Sequence, residues 1–396
     1  MKQDFVFTSE SVTEGHPDKL CDQISDAVVD RYLAEDRFSR VVAETAVATG
    51  IVFIAIRVAS RASVDVPSVA RGVISRVGYD RDSFNAHSCS IMTSATELPA
   101  SDYVEVDETD LDDAGLEQVP AGNLVTLFGY ACTQTPALMP LPIWYAHKVA
   151  RRLGEVRLTG ELSYLTPDGT VQAGVEFRAR RPHRLHSLSI NACLDAADSP
   201  DPEQVTRDIR RRVIDAALED EAIRPDRDTR LFINPKGSYG EGGPAAHAGL
   251  TGRKVAADTY GGFSRQASAA LSGKDPSRID RTGAYAARHA ARNVVAAGLA
   301  GECEVQLSYS IGAARPVSVQ VNTFGTGTVA DPEIGERLRA AFDFRPAAII
   351  RRFELRDQTT RRKGAFFSRL AAYGQVGRQD MGLPWELPDM AEALKG

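Results

Sequence analysis

Apolar residues recur along this chain at two periods, and the alternation between them organises it. From Pro17 onward, Leu20, Ile24, Val28 and Tyr32 return every four residues, which predicts a helix opened by a proline. Val41–Val47 and Ile51–Val58 flank Gly50 and are rich in branched side chains, as paired β-strands are. Beyond them the pattern predicts a helix over Pro67–Val77, strands over Ser88–Thr93 and Leu124–Ala131, and a helix over Pro142–Leu153. Strands follow near Val156–Leu165, Val171–Arg178 and Leu185–Leu194, then an amphipathic helix over Gln204–Leu218. Asp275 and Pro276 make a cap and first turn for a helix reaching about Ala297 and stopped by Gly298. Val305–Ile311 and Val317–Phe324 read as paired strands before a helix opened by Asp331 and Pro332. Strand pairs followed by a helix recur about three times without residue-level repetition. The result is an α/β (α+β) protein in which Ser101–Gly115 is an acidic, mobile loop.

Composition narrows the class. The 396 residues have room for two or three domains, and 43% hydrophobic with 25% charged residues excludes collagen-like and largely disordered chains. A net charge of −6 argues against a general nucleic-acid or anionic-membrane binder. The longest apolar run, Ile51 to Ile56, is strand length, and the first residues lack an apolar signal core, so a cytoplasmic location is expected. Cys21, Cys89, Cys132, Cys193 and Cys303 form no CxxC pair, which argues against a disulfide framework or zinc finger.

Candidate chemistry is densest between Lys236 and Asp275, a stretch of nine glycines where the chain average of 32 in 396 predicts about three. Glycines let backbone amides approach an anion, and Lys236, Arg253, Lys254 and Lys274 supply positive charge. Lys274 falls just before an expected helix start, where free amides favour phosphate. This is no Walker loop, because Ser268 replaces its first glycine and Asp275 follows the lysine. Asp280, one turn on, and Asp18 are carboxylates of the kind that hold magnesium beside phosphate. His16 in Glu14-Gly-His-Pro-Asp-Lys19 stands at a helix entrance, where a lone histidine is more often a cap than a catalyst. Gly325–Ala330 resembles a dinucleotide fingerprint but precedes no immediate helix, so a turn is expected. Asp107–Gly115 lacks the glutamate of a calcium loop, with Ala121 in its place. His183 and His186 lie in an arginine-rich strand read as an exposed face.

The segments FTSESVTEGHPDKLCDQISDAVVD, TLFGYA, LMPLPIWYAHK, INPKGSYGEGGP, AGLTGRK, DTYGG, LSGKDPSRIDR and AYAAR, in this order, resemble the S-adenosylmethionine synthetase (methionine adenosyltransferase) family over nearly the whole chain. The resemblance implies that family's fold, three similar α/β subdomains around a pseudo-threefold axis, here expected over 1–101, 113–232 and 233–396. It implies a homodimer or homotetramer with active sites at the subunit interface, Mg2+ and K+ as cofactors, and ATP as substrate. In such an enzyme His16 would stabilise the departing triphosphate oxygen and Asp18 and Asp280 would bind magnesium, with Glu44 at a potassium site. Arg253, Lys254, Lys274 and Arg278 would clamp phosphates, and Tyr239 would stack on adenine. The methionine side departs from the family pattern. His247 replaces an aspartate, Arg57 a glutamate, Leu98 a glutamine and Asn123 an aspartate, while Thr170 replaces a phosphate-contacting lysine. Losing charge-assisted bonds of roughly 1.5–3 kcal/mol each to an ammonium group points to a second substrate other than free methionine, acidic or lacking an amine. Adenosyl transfer to another nucleophile and ligase-type activation both fit that expectation. An ordinary methionine adenosyltransferase and an inactive regulatory subunit are the alternatives.

Overall fold

The computed structural model describes residues 3–81, 83–99, 102–237, 240 and 242–395. Its strands are β1 (Phe5–Val12), β2 (Arg40–Ala48), β3 (Ile51–Ala59), β4 (Ser90–Glu97), β5 (Val125–Cys132), β6 (Leu165–Arg178), β7 (Arg181–Leu194), β8 (Arg230–Ile233), β9 (Gly249–Leu250), β10 (Glu302–Tyr309) and β11 (Ser318–Asn322). The main helices are α1 (Pro17–Glu35), α2 (Val66–Val77), α3 (Leu141–Leu158), α4 (Pro202–Asp208), α5 (Ile279–Ala296), α6 (Asp331–Ala341) and α7 (Pro346–Phe353).

The strands form three larger sheets, in the orders β1-β6-β7-β8, β9-β2-β3-β4 and β11-β10-β5. Each buries one face under a long helix: α3 covers the first sheet, α1 the second and α5 the third. Helix periodicity supplies the matching apolar stripes. Leu20, Ile24 and Val28 of α1 and Ala287, Ala291 and Val294 of α5 are fully buried. This threefold recurrence of sheet plus helix is the three-part α/β arrangement the resemblance implied. It is also interlaced, because β1 joins strands more than 150 residues downstream and β5 pairs with β10.

Several expected elements move. The strand expected near Val156–Leu165 is instead the end of α3, which runs on to Leu158, and β6 starts only at Leu165. Val156 is fully buried, so it continues the apolar stripe of that helix. The helix expected over Gln204–Leu218 begins as α4 and widens to a π-helical stretch at Ile209–Asp215. Asp275 does not cap α5, which starts at Ile279 with Arg278 as its N-cap. The acidic stretch expected to be mobile is tied down over 102–115, its described part: Arg37 pairs with Asp107 at 2.9 Å and Arg356 with the buried Glu108 at 2.7 Å. Gly325 lies in a turn at φ +80°, as the sequence suggested. All five cysteines are free and buried, and among the described residues no helix is long and apolar enough to cross a membrane.

Candidate active site

Two groups of charged residues flank β2. The first gathers at the start of α1. His16 is the N-cap of that helix, its Nδ1 accepting the Asp18 amide at 3.2 Å. A neutral ring that accepts through Nδ1 carries its proton on Nε2. Burial, against the opposing charge of Asp168, lowers the His16 pKa to about 4, so the ring is neutral near pH 7 with Nε2–H free to donate. The cap reading and the functional reading of this histidine are therefore compatible.

Asp18 is buried one turn on. Gly249 packs against the backbone there so closely that a Cβ would lie 2.2 Å from Pro17, and this approach delivers the Leu250 amide to Asp18 Oδ1 at 3.0 Å. Lys254 reaches Asp18 Oδ2 at 2.8 Å, and the half-exposed Arg253 stands 3.6 Å from Oδ1. Burial works to raise this carboxyl, but the bonds from Lys254 and Leu250 outweigh it and hold the pKa below its ordinary value. His247 lies on the other side of His16, the two rings 5.0 Å apart. Its Nε2 bonds Asp168 Oδ2 at 2.8 Å, and that hydrogen bond raises its pKa. Asp168 also accepts the Gly243 amide at 2.9 Å, while its Oδ1 is buried without a partner. His16, Asp168 and His247 each offer a ligand atom within 4.8 Å of the others, a spacing that suits a cation. Asp168 escapes a reading of the sequence because Thr166-Pro-Asp-Gly169 looks like ordinary turn chemistry.

The second group is built on the strand-like path of Gly273–Asp275 beside β2. Gly273, at φ +80°, sits where a Cβ would meet Ala43 O at 2.0 Å. The contact lets Ala43 N donate to Gly273 O at 2.8 Å and sets Lys274 opposite Val42 in an antiparallel bridge. Lys274 is thus held by a sheet edge, not by a helix N-terminus as the sequence suggested. Its Nζ lies 3.2 Å from Asp280 Oδ1, which also accepts from Asn123 Nδ2 at 2.7 Å. Burial lowers the Lys274 pKa against the pull of Asp280. Asp280 stands in the first turn of α5, 1% exposed, and its Oδ2 is buried without a partner.

That orphaned oxygen is what a magnesium ligand looks like before its ion arrives, so Asp280 fits the implied metal. Asp18 fits less directly, since both of its oxygens are already engaged. Glu44 stands exposed on the outer face of its sheet, opposite Ala55 and diagonal to Arg57. Arg57, Leu98 and Arg278 line one cavity together with Pro120 and Gly122. His247 does not line that cavity, so within one chain the four altered positions are not gathered in one place. Thr170 lies on β6, two residues past Asp168, paired with Val12 and Asn191. Tyr239 lies outside the described residues.

Each of the two clusters sets a lysine beside buried carboxylates and leaves one carboxylate oxygen open, an arrangement that suits polyphosphate and a divalent metal. Comparison with known proteins narrows this. The N-terminal, central and C-terminal domain models of S-adenosylmethionine synthetase match residues 4–99, 118–239 and 241–387. The chain is 45% identical to the S-adenosylmethionine synthase of Trichormus variabilis, covering 100% of this chain and 97% of that one. It is 46% identical to the S-adenosylmethionine synthase of Synechococcus sp. (strain RCC307), covering 99% of each. The chain belongs to the S-adenosylmethionine synthetase family.

Proposed function

We propose that this protein is an ATP-dependent adenosyltransferase that releases and cleaves the triphosphate of ATP, with methionine the acceptor that its relatives' name supports. The observation that carries this reading is the Lys274–Asp280–Asn123 cluster, with one buried carboxylate oxygen left open. A scaffold subunit has no use for such an arrangement. In the reaction a nucleophile attacks C5′ of ATP, the C5′–O bond breaks, and triphosphate leaves with the electron pair. Magnesium, held by Asp280 with Asp18, would neutralise phosphate charge. His16 would donate its Nε2 proton in a hydrogen bond to the departing oxygen. Lys254 and Arg253, beside Asp18, and Lys274, beside Asp280, would bind phosphate oxygens whose charge grows as the bond breaks. The open outer face of the second sheet supports a homodimer or homotetramer, since Ile51, Phe53 and Met92 are exposed on it.

The comparisons favour methionine over the altered acceptor that Arg57, Leu98, Asn123 and His247 suggest, and they lend nothing to ligase chemistry. One observation keeps the acidic acceptor as a second reading: Arg57 lines a cavity with further arginines. Incubation with Mg-ATP and methionine, following S-adenosylmethionine by chromatography and phosphate release in parallel, tests both. Formation of both products supports methionine as acceptor. Phosphate release without S-adenosylmethionine, stimulated by another acid, shifts the reading to the second. No phosphate release with any acceptor would overturn both.

A further inference from the structure

Three residues late in the chain reach behind His16, the Arg253–Lys254 pair and Lys274 together. Tyr373, Gly374 and Gln375 follow the short helix Phe367–Leu370. Tyr373 is left-handed at φ +63° and Gly374 at φ +93°. A tyrosine is strained in that conformation, which persists only where its surroundings hold it. Here the surroundings belong to the proposed site.

Tyr373 meets Glu14, two residues before His16. Its hydroxyl donates to Glu14 Oε2 at 2.6 Å and accepts the Glu14 amide at 3.4 Å. Burial, reinforced by the Glu14 carboxylate, raises the tyrosine pKa well above its ordinary value, so the hydroxyl keeps its proton and donates. Arg157 takes the other carboxylate oxygen at 3.0 Å. Gly154 of α3 makes room for the contact, since a Cβ there would lie 2.6 Å from the hydroxyl and 3.2 Å from the carboxylate. Tyr79 donates to the Gly15 carbonyl, and Gln23 to that of Glu14 at 2.7 Å. The turn that presents His16 is thus held from several segments at once, and Tyr373 grips both its backbone and its side chain.

Gln375 reaches the other two groups. Its amide donates to Asp258 O at 2.8 Å, at the end of the single turn Val255–Asp258 that Lys254 opens. Its buried side chain accepts from the Tyr285 hydroxyl at 2.6 Å and donates to Ser272 Oγ at 3.1 Å, two residues before Lys274. Trp385 Nε1 donates to Gln375 O at 3.0 Å. Every polar group of Gln375 is engaged, so it moves only with its partners.

We propose that Tyr373 and Gln375 are positioning residues for the transfer reaction. Tyr373 acts through Glu14 on His16, and Gln375 acts through Asp258 and Ser272 on the phosphate-binding lysines. This rests on the adenosyl-transfer reading, in which His16 bonds the departing oxygen. A bond made as C5′–O breaks stabilises the transition state more than bound ATP, so a misplaced His16 lowers kcat and spares KM.

Tyr373→Phe removes one hydroxyl and keeps the ring. With Mg-ATP and methionine, kcat should fall about ten-fold while the KM for ATP stays within about two-fold. In a His16→Asn background the same change should alter the residual kcat by less than about two-fold, because the group it positions is gone. A Tyr373→Phe kcat like that of the wild type overturns the proposal. So does an equal fall in both backgrounds, which would mark general loosening. Gln375→Met should weaken calorimetric binding of tripolyphosphate about five-fold, whereas Tyr373→Phe should bind it like the wild type. Unchanged binding by Gln375→Met overturns the role of Gln375. Hydrogen–deuterium exchange needs no turnover: Tyr373→Phe should speed exchange of the Glu14–His16 amides about ten-fold and leave α2 unchanged. Unchanged exchange at Glu14–His16 overturns the role of Tyr373 whatever the activity. A wild-type protein that forms no S-adenosylmethionine removes the transfer reading, while the exchange result still decides whether Tyr373 holds His16.

Discussion

The two ends of the site treat charge in opposite ways. Around His16 the buried charges answer one another: Asp18 takes Lys254 and the Leu250 amide, and Asp168 takes His247 and the Gly243 amide on one oxygen while its other oxygen stays open. Around Arg57, three arginines with no ion-pair partner among the described residues line one cavity. Paired charges at buried positions hold a shape, because removing one partner leaves the other desolvated and alone. Like charges at an open cavity wall are screened by water, so losing one costs the fold little. In the Lys274–Asp280 cluster, as at Asp168, one carboxylate oxygen is paired and the other is open.

Breaking the Lys274–Asp280 cluster should have the largest effect. Lys274→Met removes a cation from the leaving group, and initial rates of phosphate release should fall by roughly 10²–10³-fold. A fall of less than about three-fold would place the phosphates elsewhere. The next effect separates the two ends by stability. Asp168→Asn should cost about 1–3 kcal/mol in urea unfolding, because His247 and Gly243 lose a charged acceptor. Arg57→Gln should stay within about 0.5 kcal/mol of the wild type or gain stability by relieving repulsion. Equal losses at both sites would mean that the two ends bear charge alike.

The smallest effect is a pH dependence away from both ends. His147 is buried against Ser11, its Nδ1 2.8 Å from that hydroxyl, and burial lowers its pKa from 6.5 to about 3. As pH falls below 6.5 the unfolded chain takes up this proton and the folded one does not. The contribution to stability is therefore whole above about pH 7 and shrinks as pH drops toward 3. Between pH 7 and 5.5 the loss is about 1 kcal/mol for one such histidine. His16 adds a similar slope down to about pH 4. His147→Gln, compared with the wild type by thermal unfolding at pH 7 and 5.5, should show a smaller drop; an unchanged drop would assign the effect to other groups.

Much of the fold is legible along the chain because its signals are local. The four-residue recurrence in α1, the branched strands either side of Gly50 and the proline openings of α1 and α6 depend on neighbours only. So does the motif text carrying His16, Asp18, Lys274 and Asp280. Misplaced boundaries, such as the end of α3 and the start of α5, lie where tertiary packing overrides local preference. Val156 continues a stripe that a helix buries, and Asp275 spends its carboxylate on β2 rather than on a helix end.

Partnership across long separations belongs to the tertiary structure. His247 meets Asp168 across 79 residues, and Asn123 meets Asp280 across 157. Arg40, Arg57 and Arg278 share a wall only because strand register and the β2–Lys274 bridge bring them there. A one-dimensional pattern records which side chains face inward and where the chain turns. Which charge finds a partner and which is left open is settled by how sheets and helices close on one another, since Coulomb energy depends on distance in space and on burial, and neither is written in residue spacing.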